Sequence, residues 1–147
     1  MPITLTTPGS VSVAAPNETE IDLFGVDIRF DDDVTVTASG DYAVVEGYAA
    51  LRQAILIRLI TNPGEYATQP DFGCGITRWV KKRMSKSDRD SLRQTIIEQL
   101  SKEERIQKVE EVLVESLTSN NTTGVKVSVR VTALGRENSF AFTTFSE

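Results

Sequence analysis

Between Gly124 and Ala133 apolar and polar residues alternate strictly, with Val125, Val127, Val129 and Val131 separated by Lys126, Ser128 and Arg130. A period of two places the valines on one face of a strand and the polar residues on the other. A second such run, Ser139 to Phe145, follows the turn sequence LGREN. Phe140 and Phe142 share a face there while Phe145 falls on the opposite one, which calls for a bulge or the end of the sheet between them. Upstream, RIQKVEEVLVESL satisfies helical spacing through Ile106, Val109, Val112 or Leu113, and Leu117. Its β-branched content from Val109 to Val114 favours a strand, and the valine strand needs a mate because an isolated hairpin is marginal in water. SNNTTG then forms the turn between them.

The period changes to that of a helix in YAALRQAILIRLITNPGEY, where Tyr48, Leu51, Ile55 and Leu59 form a stripe and Ile57 and Ile60 lie off it. This helix packs on more than one side and stops at Asn62, before Pro63 and Gly64. A second helix is predicted from Gly75, with Ile76, Trp79, Val80 and Met84 inward and Lys81, Lys82 and Arg83 toward water. A third follows, with Ser87 as N-cap, Asp90 three residues on, and the stripe Leu92, Ile96, Leu100. Residues 1–21 are rich in Thr, Ser, Pro and Ala and read as an extended arm, while residues 22–47 read as irregular structure with one or two short strands. The expected architecture is α+β: a three-helix layer on a small antiparallel β-meander, formed by one domain over residues 22–147. A short meander leaves edge strands whose unpaired N–H and C=O groups are templates for another chain.

Composition narrows the chemistry. The 147 residues suit one domain. A net charge of −5 argues against nucleic acid or an anionic membrane as partner. No stretch approaches the roughly 18 apolar residues of a membrane span, and the lone Cys74 forms no internal disulfide, so a cytosolic protein is expected. Histidine is absent, which removes the commonest general base and metal ligand. Cys74, between two glycines, has no base to activate it. Asp31, Asp32 and Asp33 are contiguous and lack the alternate spacing of a calcium loop. No phosphate loop or dinucleotide fingerprint occurs. No catalytic residue, metal site or cofactor is therefore expected. Trp79 beside Lys81, Lys82 and Arg83 reads as a packed tryptophan next to a solvated face.

The stretch VEGYAALRQAILIRLITNPGEYATQPDFGCGI resembles the signature of the GPW/gp25 family, the baseplate wedge and sheath-initiator proteins of contractile tails. The likeness spans Asp41 to Val131 and rests on Leu51-Arg52-Gln53, the turn Thr61-Asn62-Pro63-Gly64-Glu65, the step Asp71-Phe72-Gly73, and the order of elements. It implies a non-enzymatic virion component of the tail baseplate, assembled in the host cytoplasm, in roughly six copies acting by multivalency. The implied partners are the tail sheath protein, baseplate wedge core proteins, and tube or hub proteins. The implied mechanism is β-augmentation, in which sheath strands add beside Val125, Val127, Val129, Val131, Phe140 and Phe142. Wedge docking is implied for Glu103 and Arg105, where the family's Glu-Pro-Arg becomes Glu103-Glu104-Arg105. Without the proline, the exit from the preceding helix must be set by packing. Rival readings are a type VI secretion baseplate component, a protease adaptor, and a peptidoglycan hydrolase using Glu46, Glu65 or Asp71.

Overall fold

The structure, a computed structural model, describes residues 3–4, 24–31, 33–34, 36–133 and 135–145. The elements in chain order are β1 (Ile3–Thr4), β2 (Val26–Ile28), β3 (Phe30–Asp31), β4 (Asp33–Val34), β5 (Val44–Glu46), α1 (Tyr48–Ile60), a 3-10 turn (Ile76–Trp79), α2 (Lys86–Ser101), β6 (Lys108–Ser119), β7 (Thr122–Ala133) and β8 (Arg136–Phe145). Apart from the two residues of β1, the expected arm over 1–21 lies outside the described residues. The chain divides into two units, one of residues 56–147 with residues 1–9, the other of residues 10–55.

The larger unit is built on a four-stranded antiparallel sheet in the order β1-β8-β7-β6. Its centre is the valine strand, with Val125, Val127, Val129 and Val131 buried. Cross-strand partners share a face, so Val112 and Phe142 join the valines. At roughly 1.5 to 3 kcal/mol per buried aliphatic side chain, this face is a main source of stability. α2 packs against β6 through a buried stripe of Leu92, Ile96 and Leu100, and the 3-10 turn packs against β7.

Three local expectations are corrected. The three-helix layer is not formed: among the described residues there are two α-helices, and the run beginning at Gly75 makes only the single turn Ile76–Trp79. A continuous helix cannot cross Ser85, which is held extended at φ −71 and ψ 169 as the N-cap of α2. Ile76, Val80 and Met84 are nevertheless buried, as their spacing demanded. The capping box is also two residues earlier than expected. Ser85 Oγ accepts from Asp88 N at 3.1 Å, and Asp88 accepts from Ser85 N at 2.8 Å, so Ser85 and Asp88 take the roles assigned to Ser87 and Asp90. Finally, β7 and β8 stay in register to Phe145, where β8 ends, and the bulge lies in β6 between Val109 and Glu111.

The ambiguous segment is a strand, longer than its β-branched core. The turn after it contracts to Asn120–Asn121, both at positive φ (45 and 67), the left-handed pair that a two-residue hairpin requires and that asparagine tolerates.

In the smaller unit β2 pairs with β5 and β3 with β4, and Val36 bridges Tyr42. Gln53 of α1 pins this ribbon: its Nε2 donates to Asp27 Oδ2 (3.0 Å) and to Ile28 O (2.7 Å), and its Oε1 accepts from Phe30 N (3.0 Å).

Candidate assembly surfaces

The direction of each backbone group on the sheet follows from its hairpins. A two-residue turn is closed by a pair exchanging both hydrogen bonds, here Ser119 and Thr122, and hydrogen-bonded and outward-facing residues alternate from there. Val112, Val114, Ser116 and Thr118 therefore turn their N–H and C=O groups to the outer rim of β6. An independent contact agrees, since Arg93 Nε reaches across that rim to donate to Val112 O at 2.9 Å. The same alternation across β7 sends Glu137, Ser139, Ala141 and Thr143 outward from β8. β1 pairs Thr4 with Thr143 and Ile3 with Thr144. Among the described residues, no strand pairs with the outer side of β6 or with Glu137, Ser139 and Ala141 of β8.

Val125, Val127, Val129 and Val131 are thus not on a rim. Both sides of β7 are filled by β6 and β8, so the open edges expected beside the valines lie one strand further out on each side. Their side chains hold the strands that carry the rims. Phe142 is buried beside Val127, and Phe140 is half-buried beside Val129 on β8. The opposite face is polar: Lys126 Nζ meets Glu115 at 3.4 Å, and Arg130 meets Glu111 at 3.3 Å and Glu137 at 3.8 Å. These exposed pairs tune register more than stability.

Two of the motifs that carry the resemblance, the turn Thr61 to Glu65 and the step Asp71 to Gly73, meet at the end of α1. Its last carbonyls would be left without partners by the helix itself. Instead Arg58 O accepts from Cys74 N and Thr61 O from Gly75 N, each at 2.9 Å. Gly73 (φ 107) passes so close that a Cβ would press on Thr61 O. Gln99 of α2 locks the same segment, donating to Asp71 O at 2.7 Å and accepting from Gly73 N at 3.1 Å. The turn before it closes on Glu65, whose carboxylate accepts from Asn62 N and Nδ2. These bonds, the backbone one first, hold its pKa below the ordinary carboxylate value.

Glu103 and Arg105 belong to this hub. Arg58 lies over the Phe72 ring at 4.5 Å and reaches Glu103 at 3.5 Å, while Arg105 grips Glu103 at 2.6 Å through Nε and 3.1 Å through Nη2. Burial pushes the Glu103 carboxyl up, but the hydrogen bonds and charge of Arg105, with Arg58, outweigh it and leave the pKa lowered. At the position where the resemblance calls for proline, the exit from α2 is fixed by this fork and by Ile106 N donating to Glu103 O at 3.0 Å, with Ile106 buried. Glu103 is mostly enclosed, so Arg105 is the more accessible of the two. A cleft of about 370 Å³ opens beside the hub, between residues 68–72, Gln99 of α2 and Lys102 at its C-cap. Arg58 and Gln99 escaped the sequence reading; a glutamine on the buried side of an amphipathic helix was the available signal.

Cys74 is buried, and burial pushes its thiol up to about 12 despite the opposing charge of Arg58, which makes it a poor nucleophile. Lys82 sits 5.9 Å from the Trp79 ring, which is half-buried. Among the described residues no helix is long and apolar enough to cross a membrane.

The fold and these surfaces define a small α+β module whose prepared features are backbone rims and a buried hub of ion pairs. Residues 26–134 match the family of contractile injection system sheath initiators, and the chain belongs to that family. No curated protein matches the chain. Among solved structures, a chain of the anti-feeding prophage baseplate, determined by cryo-EM with sixfold symmetrisation, is similar at a TM-score of 0.55 and 15% identity, covering 82% of this chain and 83% of its own. A Geobacter sulfurreducens chain, provisionally described as a tail lysozyme, aligns with a TM-score of 0.49 and 18% identity over 78% of this chain and 97% of its own. The first likeness establishes a shared fold.

Proposed function

We propose that this chain is a non-enzymatic baseplate component of a contractile injection system and that it starts the sheath by accepting extended strands on the rims of its β6–β8 sheet. The observation that carries this reading is the pair of outward-facing rows, Val114, Ser116 and Thr118 on β6 and Glu137, Ser139 and Ala141 on β8, without a pairing strand among the described residues. Family membership supports it. In β-augmentation the incoming backbone supplies affinity, and side chains alternating over the two faces set register.

The energetics suit an assembly device. Each added backbone hydrogen bond is worth about 0.5 to 1.5 kcal/mol net, so one short rim holds a strand weakly. A ring of roughly six copies would hold the first sheath layer through multivalency. Val125, Val127, Val129, Val131, Phe140 and Phe142 act here by holding the rims in place. The hub at Glu103 and Arg105, with the cleft beside it, is the surface that docks on wedge core proteins, next to the tube or hub of the particle. Glu65 is a poor proton donor, because its hydrogen bonds from Asn62 hold its carboxyl below the ordinary pKa.

Sheath growth on purified baseplates carrying the double variant Ser116→Pro/Ser139→Pro tests the proposal. Each proline removes an outward N–H and leaves the internal ladder intact. Loss of sheath growth on baseplates that still incorporate the variant is expected. Normal growth would overturn the strand-addition mechanism.

A further inference from the structure

One face of the β2–β5 ribbon has no part in strand addition. Register sets Val26 opposite Glu46 and Ile28 opposite Val44, and Val36 bridges Tyr42. Cross-strand partners share a face, and alternate residues along a strand return to it. Val26, Ile28, Val36, Tyr42 and Val44 therefore line one side, and each is 45% to 61% exposed. The other side is occupied, because Asp27 points there and binds Gln53 of α1. A contiguous exposed apolar patch of this kind marks an interaction surface.

Charge selects the occupant. From Val26 to Glu46 the sequence has six acidic residues against the single Arg29. Glu46 shares the apolar face, and Asp41 is exposed at the turn beside Tyr42. A second copy of this chain would set like charges against each other, which costs affinity. A helix with an apolar stripe flanked by lysine or arginine would bury the patch and satisfy its acidic margin together. We propose that this face docks a basic amphipathic helix of a partner protein, a contact separate from the sheet rims.

The test titrates the full chain with a fluorescently labelled synthetic peptide of leucine and lysine patterned as an amphipathic helix, read by anisotropy. Saturable binding that weakens with added salt is expected. It should fall about tenfold or more in Tyr42→Ser/Val44→Ser, and equally for a peptide of the same composition scrambled to destroy its apolar stripe. Both substituted side chains are largely exposed, so the variant should keep the wild-type circular dichroism spectrum. Equal binding by the variant or by the scrambled peptide would overturn the proposal. Self-association of the wild type that the variant loses would assign the face to a second copy and overturn it. Peptide binding that appears only after removal of residues 1–23 would overturn it in favour of the chain's own N-terminal segment.

Discussion

Gly73 shows how one residue carries the family motif. At φ 107 it runs against Thr61 O while its N–H donates to Gln99, a path open only to a residue without a side chain. Gly73→Ala should destabilise the chain by on the order of 2 to 4 kcal/mol in urea unfolding, combining backbone strain with the clash. An unchanged midpoint would contradict this packing. Glu103 gives a second expectation at this scale. Its carboxyl is held below its ordinary pKa in the fold, so the unfolded chain takes up the proton first as pH falls. The stabilisation is complete above about pH 5 and drains away as pH drops through the ordinary carboxylate range toward the lower folded-state value. Glu103→Gln should be less stable than wild type at neutral pH, by about 1 to 3 kcal/mol. Its stability should also fall less steeply between about pH 5 and pH 3. Parallel acid profiles of the two proteins would contradict the role assigned to Glu103.

At the scale of elements, the two rims make an asymmetric prediction about proline. In β6 the N–H of Ser116 faces outward, whereas that of its neighbour Leu117 points to Gly124 in the ladder. Ser116→Pro should therefore shift the thermal midpoint by a few degrees at most, while Leu117→Pro should cost about 3 kcal/mol or more. Equal losses would mean that the alternation along β6 is misassigned. The strands were legible in the sequence because alternation over Val125 to Val131 has one physical solution, and β-branched residues arbitrated correctly for β6. The middle helix was not legible. Ile76, Trp79, Val80 and Met84 repeat at helical spacing because that spacing serves burial, and a 3-10 turn followed by an extended cap meets the same demand. The capping box was misplaced because Ser-x-x-Asp occurs twice within the six residues Ser85 to Asp90, and local pattern does not rank the copies. The position of the valine strand in the sheet was equally hidden, since strand order depends on contacts far apart in sequence. Placing β7 at the centre moved the candidate rims outward to β6 and β8.

For the whole molecule, membership of the sheath-initiator family points to surfaces that meet other proteins. Motifs that resemble a functional signature, Thr61 to Glu65 and Asp71 to Gly73, prove to be a scaffold that ties the end of α1 to α2. The residues proposed to meet the sheath lie instead on strands with unremarkable sequence, because a backbone rim is defined by what fails to pair with it. The most direct measurement is amide hydrogen exchange of the full chain, alone and with purified sheath protein. Rapid exchange is expected at Val114, Ser116 and Thr118 and at Glu137, Ser139 and Ala141 in the free protein. On sheath binding, at least one of these two rows should become strongly protected. Binding that leaves both rows exchanging as fast as before would contradict strand addition.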